Sequence, residues 1–265
     1  METAGYFAAV LIGISLGLIG GGGSILTVPV LVYLFGIHAA LATTYSLFIV
    51  GLTSSVGAVS YFIRKQVDVK TGLVFGVPSI VTVYLVRTFL MPAIPEVILQ
   101  MERFNLSKNT FLLLLFGIVM LPAAFSMIRK RKEDAVETGI APATFNYPFV
   151  IAVGAGVGVL TGMIGAGGGF LIIPALVNFL KIPIKTAIGT SLMIIAVNAL
   201  LGFCFSLAYT PVAWTFLFPI AGIAIAGIWI GSKMASVIDG KKLKPAFGWF
   251  VLIMGIGILL REILA

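Results

Sequence analysis

Two short glycine runs hold the residues best suited to chemistry in this chain. The segment Ile19-Gly20-Gly21-Gly22-Gly23-Ser24-Ile25-Leu26-Thr27-Val28-Pro29 returns 145 residues later as Ile164-Gly165-Ala166-Gly167-Gly168-Gly169-Phe170-Leu171-Ile172-Ile173-Pro174. A glycine inside a helix costs roughly 1 kcal/mol against alanine. Near-contiguous glycines inside a long apolar stretch therefore predict that one helix stops and another begins. A restarting helix turns unpaired N–H groups and the positive end of its dipole toward the break, which is chemistry for an anion. Ser24 and Thr27 add hydroxyls, although Ser24 serves equally well as a cap for the restarting helix. The candidate anion-binding set is Gly21, Gly22, Gly23, Ser24 and Thr27 from the first run and Gly167, Gly168 and Gly169 from the second, with Ser46, Ser191 and Asn198 from the helices that follow. Small residues also permit close helix packing in membranes. Packing alone explains neither the run of four nor its repetition with a downstream proline.

A second polar set lies beyond the glycines. Thr43, Thr44 and Ser46 are answered by Thr190 and Ser191, and Thr53, Ser54 and Ser55 by the region of Asn198. Serine and threonine in membrane helices mostly bond their own backbone or a neighbouring helix. Asn198 is costlier to bury and is the expected exception. No Asp or Glu falls in the middle of an apolar stretch, so a carboxylate proton relay of the kind found in many pumps has no groups to run on. Acid–base, metal and triad chemistry are equally short of residues, because the chain has one histidine, His38, and one cysteine, Cys204. An intrachain disulfide is impossible, and neither a metal nor a cofactor is expected. A membrane-embedded enzyme is thereby disfavoured. Cys204 reads as a small core residue, and His38 is given no role. Arg87, the one basic residue within an apolar run, stands four residues before Met91; it could attract an anion into the site, but snorkelling to the outer interface is the expected reading.

These residues must be held by membrane helices. The 265 residues are 60% hydrophobic and 10% charged, with a mean hydropathy of +1.17, against about 25% charged in a soluble domain. The first apolar stretch lacks a basic leader and a small-residue cleavage site, so it is read as part of the mature protein. The net charge of +8 sits mostly at segment ends, which suits loop placement by the positive-inside effect rather than nucleic acid. Apolar stretches run over about 5–19 and 24–37 around the first break, then 41–63, 71–91 and 110–128. The second series covers 147–164 and 169–181 around the other break, then 186–208, 212–232 and 245–263. Six are long enough to cross a bilayer core of about 20 residues, and the four beside the breaks are shorter. Trp214, Trp229 and Trp249 fall near span ends or within spans, where some would join an interfacial aromatic belt.

Residues 19–49 and 164–194 share thirteen identities in thirty-one gapless positions, which reads as an internal duplication. The predicted units are 1–134 and 135–265, integrated into one membrane domain, and Pro92–Asn109 looks like an insertion in the first. The run Arg129-Lys130-Arg131-Lys132 is placed in the cytoplasm. Treating each broken segment as a re-entrant hairpin then brings Lys181, Lys185, Lys233, Lys241, Lys242 and Lys244 to that same side. Each unit thus crosses three times, and an odd number of crossings inverts one unit against the other. The expected fold is an all-α polytopic protein of two inverted repeats, with opposed hairpin tips near mid-bilayer. Eight full spans with parallel halves is the alternative.

The doubled glycine motif at Gly20–Pro29 and Gly165–Pro174, followed by Ala42/Ser46 and Ala187/Ser191, resembles the TauE/SafE sulfite exporter family. Gly227-Ile228-Trp229-Ile230-Gly231 through Lys244 and Phe247 is similar to the family's penultimate loop and last helix, whereas residues 84–109 depart from the pattern. The resemblance implies a multi-pass transporter of the bacterial inner membrane for sulfite, sulfonates such as sulfoacetate, or related small sulfur-containing anions. Its implied partners are that anion and the lipid bilayer, with homodimer formation left open. A passive anion channel on the same duplicated fold is the rival reading.

Overall fold

In the computed structural model, residues 2–101, 104–128, 147–180, 182–234 and 240–264 are described. Arg129–Lys132 lies outside the described residues, as do Lys181 and the side chains of Lys241, Lys242 and Lys244.

Both glycine runs break the helices. Helix α1 (Glu2–Ile19) stops before Gly20, and α2 (Ser24–Tyr33) starts after Gly23; α6 (Tyr147–Ile164) stops before Gly165, and α7 (Gly169–Phe179) resumes four residues later. Gly20 and Gly165 occupy matched positions with left-handed φ of 77° and 74°, a region costly for any residue with a Cβ. The two arms of the first break fold back on each other. Tyr6, near the start of α1, stacks edge-on against Phe35, just beyond α2, with ring centroids 5.8 Å apart. At the second break, Phe149 near the start of α6 and Leu180 just after α7 line one shared pocket.

Helices α3 (Ala39–Ile63) and α8 (Ile184–Ser206) follow the breaks. The next helix, α4, runs over Val69–Leu85 and continues through a π-helical turn at Val86–Leu90 and a last turn at Met91–Ala93. Its start is capped by Asp68, which accepts hydrogen bonds from the Thr71 N–H at 3.1 Å and the Thr71 hydroxyl at 2.6 Å. Its counterpart, α9, spans Trp214–Met234. Helices α5 (Lys108–Ile128) and α10 (Gly240–Leu264) complete the bundle. Five of the described helices are long and apolar enough to cross a membrane.

The insertion after α4 is a β-hairpin, β1 (Val97–Met101) paired antiparallel with β2 (Phe104–Ser107). At its base the Lys108 ammonium donates to the Met91 carbonyl at 2.8 Å. Asn109, the next residue, accepts a hydrogen bond from the free N–H of Ala39 at the start of α3.

Helix directions follow from which residues meet. Along α3 and α8, Leu47 meets Gly202, Gly51 meets Leu200, Gly57 meets Leu192 and Tyr61 meets Gly189, so the two run antiparallel. Helices α5 and α10 cross at the glycine pair Gly117 and Gly255. In contrast, α1 runs parallel to α9, with Gly13 against Ala224 and Gly17 against Gly231; α6 runs parallel to α4, with Gly154 against Phe75 and Gly158 against Ser79. Glycine lets these backbones approach closely, the usual device for packing helices where lipid removes the hydrophobic drive. Outward faces carry large apolar side chains such as Phe7, Leu11, Phe125 and Ile253, which suits a surface solvated by lipid. Trp214, Trp229 and Trp249 are exposed with them, and the Lys233 ammonium sits 3.6 Å above the Trp229 ring. Cys204 is also exposed, so the expectation of a core cysteine fails. It lies on the outer face of α8, and a thiol tolerates an apolar exterior as readily as a core.

Candidate site at the opposed glycine breaks

The two breaks meet. A Cβ placed on Gly21 would lie 2.8 Å from the Cα of Gly169, so the backbones themselves are in contact there. Residues 20–29 and 164–169 are all buried. Because α2 and α7 both begin at this contact, their positive ends converge on one point. Past each break the chain turns tightly: Ile25 N–H bonds to Gly22 O at 3.3 Å, Leu26 N–H to Gly23 O at 3.1 Å, and Leu171 and Ile172 N–H to Gly168 O at 3.0 and 3.1 Å. The N–H groups of Gly21, Gly22, Gly23 and Ser24 make no hydrogen bond among the described residues, and neither do those of Gly167, Gly168 and Gly169. Buried donors left open like this are rare in proteins, where most buried N–H groups are paired.

The hydroxyls divide into spent and free. Ser24 does not cap α2; its hydroxyl donates back to Gly21 O at 2.7 Å. Ser191 faces the first break, donating to Ile188 O at 2.8 Å with Gly20 O at 3.3 Å. Ser46 falls on the face of α3 between Thr43, which touches Gly165, and Val50, which touches Gly167. Its hydroxyl is buried without a partner, as is that of Thr27. Thr53 and Ser55 bond their own helix, at Ile49 O and Gly51 O, as membrane serines and threonines usually do. Asn198 sits one turn beyond Ile195, the residue that packs on Gly167 and Gly169. Its amide donates to the Ser79 hydroxyl of α4 at 2.6 Å, leaving its carbonyl oxygen unpaired. This bond braces α8 against α4.

One residue at the site escaped sequence reasoning, and another was placed wrongly by it. Thr161, one turn before the second break, presents a buried, partnerless hydroxyl toward Gly168. It lies among Leu160, Ile164, Ala166 and Gly168. No sequence signal marked it. Arg87 was visible as a lone cation in an apolar run, but it does not snorkel: it is 3% exposed. Its Nη1 donates to the Thr44 hydroxyl at 3.2 Å and the Thr43 hydroxyl at 3.4 Å, while Nε and Nη2 have no partner. The chain continues in helical form past Arg87 to Ala93, and the π-helical turn at Val86–Leu90 packs on Gly162. The guanidinium is held inward, beside the second break.

The site is thus rich in hydrogen-bond donors and contains no carboxylate among its described residues. Such a set can hold an anion and offers no acid–base pair to transform it.

Comparisons with known proteins agree with a transport role. The chain matches the family Sulfite exporter TauE/SafE over residues 6–258. It is 28% identical to a probable membrane transporter protein of Xylella fastidiosa (strain Temecula1), over 95% of this chain and 92% of the relative. It is also 28% identical to the probable membrane transporter protein YunE of Bacillus subtilis, over 84% of this chain and 83% of the relative. A third probable membrane transporter protein, from Methanocaldococcus jannaschii, is 26% identical over 94% and 92% of the two chains. No solved structure matches. With its membrane helices, its paired glycine breaks and a family match across nearly its whole length, the chain belongs to the sulfite exporter TauE/SafE family of membrane transporters.

Proposed function

We propose that the protein carries a small sulfur-containing anion, such as sulfite or an organosulfonate, by alternating access around the two glycine breaks. One observation carries this reading: two helices start head to head at the contact of Gly21 and Gly169, both buried, with their first N–H groups unpaired among the described residues. Converging helix N-termini favour negative charge, and broken helices at the interface of two repeats are a recurring form of transporter binding site. Gly21–Gly23, Ser24, Thr27 and Ser46 from the first repeat, with Gly167–Gly169 and Ser191 from the second, form the proposed contact set, and Asn198 sets the spacing of the helices around it. The sulfur class and net export are taken from the family description, and the bacterial inner membrane is the proposed location.

The architecture we infer is two inverted repeats, 1–134 and 135–265, each a re-entrant hairpin followed by three crossings. Equivalent helices α3 and α8 run antiparallel, which supports one repeat lying upside down against the other. Helices α1 and α6 both have 18 residues, and α1 through α4 start 145 residues before their counterparts α6 through α9. Transport then follows from rocking one repeat against the other, which exposes the tips to each side in turn. The burial of residues 20–29 and 164–169 favours a carrier closed on both sides over an open channel.

Flux in reconstituted vesicles tests this reading. Sulfite and isethionate uptake should saturate with concentration and be inhibited by each other, with and without a pH gradient. Linear, non-saturating flux would establish the channel instead, and absence of anion flux would reject the assignment.

A further inference from the structure

We infer that Arg87, steadied by Thr43 and Thr44, is the charge-reading subsite for the anion, and that it makes the binding site one-sided in an otherwise matched pair of repeats. This rests on the anion-carrier reading above. Three observations lead to it.

The first is the state of the guanidinium. Arg87 is 97% buried by its 3% exposure, and no carboxylate among the described residues lies within 4.0 Å of it. A buried charge is ordinarily paired, since the cost of leaving it alone is large. Here one terminal nitrogen, Nη1, is occupied by the two threonine hydroxyls, while Nε and Nη2 remain open. Those two N–H groups form one edge of the planar fork, with the spacing that takes two oxygens of an oxyanion side by side. The threonines hold the opposite corner and so fix the plane of the fork.

The second is position. Thr43 lies against the second break, its Cα 2.6 Å from where a Cβ on Gly165 would sit. The π-helical turn that carries Arg87 packs through Val86 on Gly162, three residues before that break. Irregular turns of this kind are often found at functional sites. The cation therefore stands beside the second tip, where, as at the first, backbone donors are open.

The third is a break in symmetry. At the 145-residue offset, Arg87, Thr43 and Thr44 correspond to Ser232, Ile188 and Gly189. The surrounding contacts are matched between the repeats: Gly20 packs on Ile188 as Gly165 packs on Thr43, and Gly17 packs on Gly231 as Gly162 packs on Val86. The frame is the same on both sides, but the charge is on one. Ser232 spends its hydroxyl on Trp229 O at 3.1 Å. The ligand class that suits this site is an oxyanion with at least two oxygens on one atom and an open side, as sulfite and sulfonates have; a neutral sulfone lacks the charge to compensate the guanidinium.

Calorimetric titration of the full-length detergent-purified protein tests this, with sulfite, isethionate and neutral dimethyl sulfone as probes. Arg87→Gln should weaken sulfite and isethionate binding by roughly tenfold to a hundredfold, the range for losing charge-assisted hydrogen bonds. Arg87→Lys, which keeps charge without the fork, should recover only part of that loss. Ser232→Ala at the matched position should bind as the wild type does, and dimethyl sulfone should bind to none of them. If Arg87→Gln does not fold, Thr44→Val, which removes the 3.2 Å support, should weaken binding several-fold with unchanged helicity. Wild-type affinity in Arg87→Gln, or in Thr44→Val where Arg87→Gln does not fold, overturns the assignment of Arg87 while leaving the carrier reading intact if vesicle uptake persists. A wild-type protein that neither binds nor moves these anions overturns both.

Discussion

Thr190 accepts a hydrogen bond from the backbone N–H of Asp68 at 2.9 Å. At the positions 145 residues away, the hydroxyl of Tyr45 accepts one from the N–H of Ala213, also at 2.9 Å. The side chains differ, yet each fixes the loop ahead of α4 or α9 onto the opposed long helix. Spatial correspondence therefore extends past the glycine motifs to places where sequence identity has been lost. Thr190→Val and Tyr45→Phe should each lower stability by about 1 kcal/mol, the usual net worth of such a bond. Thermal unfolding of the purified variants checks this, and similar losses from the two substitutions would mark them as equivalent braces.

Gly36 and Gly165 separate backbone strain from crowding. Both have positive φ, 69° and 74°, but a Cβ on Gly36 would meet nothing within 4 Å, whereas one on Gly165 would strike the backbone of Thr43. Gly36→Ala should cost about 1 kcal/mol from strain alone and leave transport unchanged. Gly165→Ala should cost more and abolish flux, because it pushes the second tip away from α3. Unfolding midpoints together with vesicle uptake distinguish the two effects.

The antiparallel course of α3 and α8 can be fixed chemically. In a Cys204→Ser background, cysteines replacing Leu47 and Gly202, where a Cβ on Gly202 would lie 3.2 Å from Leu47 Cδ1, should cross-link on mild oxidation. A pair at Leu47 and Gly189 should not, because Gly189 packs at the other end of α3 near Tyr61. Parallel halves would reverse that pattern.

Much of the fold was legible because glycine and proline act locally. Gly20–Gly23 and Gly165–Gly168 weaken a helix by their own conformational freedom, and both runs do break helices; their repetition pointed to a duplication without any knowledge of packing. What escaped was the facing of single residues. Hydropathy assigns a residue to a segment but does not say which way it points. Asn198 and Cys204 share α8, yet one is fully buried and the other faces outward. From sequence Arg87 reads as interfacial because its apolar stretch ends near Met91. The helix runs on to Ala93 through a π-helical turn, a local change of period that no hydropathy pattern records. The hydroxyl of Ser24 has two readings from sequence, cap and anion donor; it does not cap α2 but donates to Gly21 O, a choice set by the tightness of the turn.

The anion is held, on this account, by backbone amides at both tips together, and those amides can be watched directly. Hydrogen–deuterium exchange of the full-length protein should be measured at residues 21–24 and 167–169 with and without saturating isethionate. Slower exchange at both tips in the presence of the anion, with loops elsewhere unaffected, is the expected result. Unchanged exchange at both tips, in a protein that transports isethionate under the same conditions, would contradict it.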